Sequence, residues 1–307
     1  VFVRSGTNFI GRLVHDFTLK STPTTSDELL IGDAAASNAL KRATVSSIVS
    51  LAGGGSSFDP TTSINPLHYW RASGVTLSGG NVSTITDIGR TAKNFTNIAG
   101  AVAQSTDANG KNYIQGNGTT TLYQAGVASD WAFMLSGAPW TMGIVYQRAT
   151  NPTAGECIWA TGTGAGTMTQ CWLLQPFTSS TVWGPDANVF VGSSASVVRT
   201  EYRQGNTNIV VVIVKVQGLT SKQSTTPQYI TRDMILRFAG STVASCDQNV
   251  AYPGGNPGAT MSLFAFSNGN SPAAVRFYEM WFNDSAVPDR LIEGYEGWAN
   301  TTYKALG

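Results

Sequence analysis

Helical periodicity is concentrated at one end of this chain. Near the C-terminus Leu291, Ile292, Tyr295, Trp298 and Tyr303 recur mostly at three- and four-residue steps, so they share one helical face. Asp289, Glu293 and Glu296 fall elsewhere on the wheel and are expected to stay in water. Asn283-Asp284-Ser285 comes just before, with Ser285 the expected N-cap. Ahead of that break, Val275 to Phe282 is an apolar, aromatic run of one strand's length. A lone short amphipathic helix must bury its stripe against another element, and the rest of the chain offers a sheet.

That sheet is written as short apolar runs separated by Gly, Asn, Pro or Ser. Trp140 to Gln147, Cys157 to Ala160, Thr169 to Leu174, Val189 to Val191 and Ile209 to Val216 are the clearest strands. Tyr229 to Thr231, continuing through Met234 to Phe238, and Met261 to Phe266 add more. Ile209 to Val214 is apolar and mostly β-branched throughout, the mark of a central strand buried on both faces. Many strands without intervening amphipathic helices predict a mainly β chain, a two-sheet antiparallel β-sandwich and not a parallel α/β sheet. Eight Trp, ten Tyr and thirteen Phe in 307 residues supply the apolar area such a core needs.

The strand–cap–helix ending, with Ile292-Glu293-Gly294-Tyr295 and then Trp298, has a matching opening. His68-Tyr69-Trp70-Arg71-Ala72-Ser73 leads into Val75-Thr76-Leu77-Ser78-Gly79-Gly80-Asn81-Val82, then Thr86-Asp87-Ile88-Gly89-Arg90. Gln104 to Gly118, with Asn109-Gly110-Lys111, fits a further hairpin. In order and spacing these residues resemble concanavalin A-like, laminin-G-like jelly-roll domains over about residues 60–307. The resemblance implies a jelly roll closed by a short C-terminal helix. It rests on no invariant catalytic signature.

Residues 1–52 read as a separate module, followed by a Gly/Ser linker over 53–59 and the jelly roll over 60–307. Phe9 to Leu13 and Asp16 to Leu19 suggest short extended pieces. Asp27-Glu28-Leu29-Leu30-Ile31-Gly32-Asp33, then Ala39-Leu40-Lys41-Arg42-Ala43-Thr44-Val45-Ser46-Ser47-Ile48, resembles the N-terminal anchoring segments of bacteriophage fibre and appendage proteins. So few apolar residues cannot bury enough surface to fold alone. The resemblance therefore implies assembly with other virion proteins through residues 1–52, a homotrimer, and a surface-exposed place on a virion. The alternative is an ordinary N-terminal arm packed on its own sandwich.

Composition and motifs narrow the chemistry. A net charge of +1 with 12% charged residues predicts no nucleic-acid face. No stretch approaches the ~20 apolar residues of a membrane helix, so no membrane insertion is expected. Two histidines and three cysteines hold no zinc-like spacing, and neither metal nor cofactor is expected. His68, beside Tyr69 and Trp70, reads as a structural histidine. Cys157 and Cys171 lie equally far from Gly164, so a hairpin closed there sets them opposite one another, as a disulfide or as two small buried residues. Cys246 has no obvious mate. Gly162, Gly164 and Gly166 form a hairpin turn, without the spacing of a dinucleotide loop. Glu156, Glu201 and Glu279 are each solitary, whereas glycosidic cleavage requires two carboxylates about 5 to 9 Å apart. No enzyme activity is expected.

What remains is a binding surface. Sugars are held by an aromatic face against the ring and by amides and carboxylates on the hydroxyls. Two Gly/Pro-rich loops offer that mixture: Trp183, Asp186 and Asn188 in one, Asp247, Asn249, Tyr252 and Asn256 in the other. Calcium, which some relatives of this fold bind, would draw on Asp186 and Asp247, with nothing else in the sequence to support it. The leading expectation is a non-enzymatic virion appendage that displays a lectin-like jelly roll to host-surface or environmental glycans. The rivals are a capsid or tail decoration protein with purely structural contacts, and a glycan hydrolase.

Overall fold

The structure is a computed structural model. It describes residues 58–136, 138–149, 156–163, 209–216, 237 and 256–305 in full, together with the backbone of the remaining strands named below. The chain divides into two compact units, Val1–Phe58 and Asp59–Gly307. In the first, β1 (Phe2–Ser5) pairs antiparallel with β2 (Asn8–Gly11), and β3 (Glu28–Asp33) with β4 (Ala39–Thr44). The expected Leu29-Leu30-Ile31 strand is therefore one arm of a hairpin. The Asp16–Leu19 piece and linker residues 53–57 lie outside the described residues.

The second unit opens with a single helical turn, α1 (Pro60–Ser63), capped by the Asp59 carboxylate on the Thr61 amide. There follow β5 (His68–Ser78), β6 (Asn81–Asp87), β7 (Phe95–Ala99), β8 (Gln104–Thr106), β9 (Asn112–Gln115) and β10 (Leu122–Ala125). A 3₁₀ segment, Ala128–Leu135, leads into β11 (Trp140–Arg148), β12 (Glu156–Ala160), β13 (Cys171–Gln175), β14 (Asn188–Val191) and β15 (Val197–Arg199). The unit closes with β16 (Ile209–Gln223), β17 (Tyr229–Phe238), β18 (Ser241–Cys246), β19 (Asn249–Ala251), β20 (Met261–Leu263), β21 (Val275–Asn283) and α2 (Asp289–Tyr303).

The pairings fall into two antiparallel layers. In the first, β21 carries β5 and β9 on one side and β11 on the other, and β11 continues to β16, β17 and then β18 and β19. In the second the order is β6, β7, β10, β20, β12, β13, β14, β15. The β5–β6 hairpin links the layers, turning on Gly79 and Gly80, whose φ of 58° and 83° suit glycine. This is the expected β-sandwich, and β16 is central and buried on both faces over Ile209–Val216. Alternate residues of β11 (Trp140, Met142, Ile144, Tyr146) and β16 (Val210, Val212, Val214, Val216) meet Ile158, Met261, Leu263, Tyr123 and Phe95 in one core. The 3₁₀ segment adds Trp131, Met134 and Leu135 to that core.

Helix α2 lies on the outer face of the first layer. Its buried stripe is Ile292, Tyr295, Glu296, Ala299 and Tyr303. Two expectations change here. The helix starts at Asp289 behind Pro288 and not behind Ser285, because Thr141 of β11 holds the intervening chain: its hydroxyl donates to the Ser285 carbonyl and accepts from the Val287 amide. Glu296 is not wet but 5% exposed, since Arg237 of β17 meets it with Nε at 3.0 Å and Nη2 at 2.8 Å. Leu291 and Trp298 of the expected stripe are half-buried at its margins.

The β12–β13 hairpin also shifts. Ala160 pairs with Trp172, equidistant from residue 166 and not from Gly164, so Cys157 falls opposite Leu174, with a bulge at Ile158 between, and Cys171 lies opposite Val191 of β14. Cys157 is a free, buried thiol whose pKa burial pushes up. The run Met261–Phe266 stops at Leu263 because Phe264, fully buried, takes a φ of 72° that no strand continues.

Candidate functional site

The two loops expected to hold sugar rise from different layers. Asn188 opens β14 in the second layer, and Asn249 opens β19 in the first. Trp183, Asp186, Asp247 and Tyr252 lie outside the described residues. Asn256 is described, and it is exposed. Among the described residues no three His, Cys, Asp or Glu side chains gather as metal ligands. No helix of these residues is long and apolar enough to cross a membrane.

The described chemistry gathers on β21. Strand alternation from Val275 and Phe277 would carry Glu279 into the core. A bulge prevents this: Val145 pairs with Glu279 but Tyr146 with Phe277, leaving Tyr278 as the extra residue. Met280 and Phe282 then face the core, whereas Tyr278, Glu279 and Trp281 face outward, the last two under α2. Glu279, 0% exposed, accepts hydrogen bonds from the hydroxyls of Tyr69 (2.9 Å), Tyr295 (2.6 Å) and Tyr303 (2.7 Å). Arg71 Nε stands 3.6 Å from the same carboxylate and 2.8 Å from the Tyr69 oxygen, its guanidinium over the Tyr69 and Trp298 rings. Burial raises the Glu279 pKa, and the three phenols and Arg71 pull against it. Burial and the adjacent carboxylate likewise hold Tyr69, Tyr295 and Tyr303 far above the ordinary phenol range.

A phenol beside a carboxylate serves as nucleophile in some glycosidases. Here the carboxylate and the phenols are buried between strand and helix, and their hydrogen bonds pin α2 to the sheet. His68 is equally structural: its Nδ1 lies 2.7 Å from Asp87 and its ring stacks on Trp70. Asp87 also accepts the amide protons of Tyr69, Gly89 and Lys93. Glu156 is buried, its pKa raised first by desolvation, with one carboxylate oxygen lacking a hydrogen-bond partner.

On the outer face of the same layer, among the described residues, lies a shelf that the sequence did not announce. Ile114 of β9 and Phe277 of β21 point into the core, so Tyr113, Gln115 and Arg276 point outward, joined by Gln147 of β11. All four are partly exposed. Arg276 donates from Nε to Gln115 Oε1 and from Nη1 to Gln147 Oε1, each at 3.1 Å. Its guanidinium carbon lies 4.7 Å from the centre of the Tyr113 ring. Because a guanidinium only donates, both glutamine oxygens must face it, turning each NH₂ group away from it.

The shelf is anchored from behind. The Tyr278 hydroxyl lies 3.1 Å from Asp107 Oδ2 and 3.3 Å from Gln147 Oε1, while Asp107 Oδ1 accepts the amides of Asn109 and Lys111 and so fixes the β8–β9 turn. Desolvation and the Asp107 charge push the Tyr278 pKa up. A period-two reading of Asn112–Gln115 would have placed Tyr113 and Gln115 on one face. Only the pairing of β9 with β21, more than 150 residues away in sequence, brings Arg276 between them.

No family model matches the chain, and no curated protein matches its sequence. Among solved structures, the receptor binding domain of a botulinum neurotoxin of C/D mosaic serotype is similar with a TM-score of 0.53 at 6% identity, covering 76% of this chain and 51% of that one. The sialidase of Trypanosoma rangeli in complex with 2,3-difluorosialic acid, a covalent intermediate, is similar with a TM-score of 0.51 at 11% identity, covering 80% of this chain and 34% of the sialidase. The chain thus spans about a third of the sialidase and half of the toxin domain. At these identities the likeness is one of fold, a β-sandwich.

Proposed function

We propose that residues 59–307 form a non-enzymatic, lectin-like module that holds glycans on the outer shelf of Tyr113, Gln115, Gln147 and Arg276. One observation carries this reading: an aromatic ring, two amides and a guanidinium, all partly exposed, are held on paired strands, the guanidinium hydrogen-bonded to both amides and lying over the ring. These are the group types that recognise sugars, and their rigid mounting lowers the entropy lost on binding. Support for binding without cleavage comes from the burial of Glu156 and Glu279, which removes both from any substrate. The similarity in fold to a receptor binding domain is compatible with recognition. The likeness of residues 27–48 to bacteriophage anchoring segments supports a place on a virion appendage, with this unit facing the host and the first unit joining copies of the chain.

A glycan array with the full chain and its variants is the test. Y113A is expected to lower binding at least tenfold, with its melting temperature within a few degrees of the parent's. Trp183 and Tyr252 belong to the wider proposal, and W183A and Y252A on the same array separate the loops from the shelf. Binding that survives Y113A but fails in the loop variants would move the site to the loops. No binding to any glycan would favour a decoration protein, and release of new reducing ends would favour a hydrolase.

A further inference from the structure

We propose that the shelf selects acidic sugars, with Arg276 as the anchor for a sugar carboxylate. The inference rests on the lectin reading and adds to it the class of ligand. Arg276 carries five N–H donors. Gln115 and Gln147 engage one each, leaving three, two of them on Nη2. Among the described residues no carboxylate lies within ion-pair distance of this guanidinium, although Arg71, Arg90, Lys93, Lys215 and Arg237 each have one. The carboxylate bonded into the cluster, Asp107, is engaged by two backbone amides and the Tyr278 hydroxyl. Among the described residues Arg276 is thus a cation held by amide oxygens and a ring and by no carboxylate, its guanidinium over the Tyr113 ring.

Such a group favours a planar, two-oxygen anion over a hydroxyl. Two parallel N–H···O bonds form at once, and the charge adds to both. The adjoining Tyr113 ring, which packs against Arg276 and Tyr278, offers its exposed part to the sugar's C–H side, so the carboxylate and the ring it substitutes are held together. A neutral sugar meets the same donors through single hydroxyls and gains less.

The experiment uses the full chain on paired glycans: uronate- and sialate-bearing oligosaccharides, and the same molecules with each carboxyl chemically reduced to a primary alcohol. The acidic member of a pair is expected to bind about ten- to a hundredfold more tightly, and that advantage is expected to shrink as salt rises from 0.05 to 0.5 M. R276Q should bind both members equally, R276K should recover part of the difference, and Y113A should weaken both together. Thermal denaturation confirms that each variant folds. Equal binding of the paired glycans by the parent, or an acid preference that survives R276Q, overturns this inference and leaves the lectin reading standing. Failure to bind any member, acidic or neutral, on this set and on the broader array overturns both.

Discussion

Glu279 of β21 is a fully buried carboxylate held by groups drawn from β5 and α2, and its protonation is tied to folding. Its pKa is raised above the ordinary 4.5, chiefly by desolvation. The folded chain therefore keeps this proton at pH values where the unfolded chain has lost it. The group's contribution to stability is complete below 4.5 and is lost as pH rises through the folded value. Stability of the parent relative to E279Q, from urea denaturation at a series of pH values, is expected to fall as pH rises above 4.5. A difference independent of pH would contradict the assignment. Y295F removes a 2.6 Å bond to the same carboxylate and is expected to cost about 1.5–3 kcal/mol at neutral pH. In the sequence Glu279 is merely a solitary acid in an apolar run. Tyr69 lies 210 residues away, and nothing in spacing announces that pairing. His68 was more legible, because Tyr69 and Trp70 beside it and the Asp87-Ile-Gly89 loop are local.

At the scale of elements, the first layer is built around close contact of β11 with β21 and of β21 with α2. Gly143 sits where a Cβ would stand 2.5 Å from Trp281 Nε1 and 2.9 Å from Ile213 Cδ1. G143A is therefore expected to lose about 1–3 kcal/mol of stability, read as a lower urea midpoint. Thr141 ties the β21–α2 connection to β11, and T141V, which keeps the shape, leaves the buried Val287 amide without its acceptor. An unsatisfied buried donor costs about 1–3 kcal/mol, so T141V should destabilise more than T141S, with equal melting temperatures contradicting the role. The strands themselves were readable from alternation and punctuation, and α2 from its stripe. The bulge at Tyr278 was not, since it inserts a residue without any Gly or Pro to mark it. The β12–β13 register was missed because Gly164 is not its centre: Ala160 pairs with Trp172, equidistant from residue 166, and three glycines at alternate positions do not say which of them the pairing is centred on.

For the molecule as a whole, the division at Phe58 makes residues 59–307 a unit with its own core. Expressed alone, it is expected to unfold in one cooperative transition and to run as a monomer on size exclusion with light scattering, whereas the full chain runs as a trimer. A full chain that is also monomeric would contradict the proposed role of the first unit. The fold class and the helix that closes it were legible because each depends on local pattern. The shelf was not, because it is assembled from three strands far apart in the sequence. The most direct measurement is a crystal structure of the full chain with an acidic oligosaccharide chosen from the array. The account predicts the sugar against the Tyr113 ring, its carboxylate within hydrogen-bond distance of Arg276 Nη2 and every glycosidic bond intact. A sugar seated instead on the loops of Trp183 or Tyr252, or a cleaved one, would contradict it.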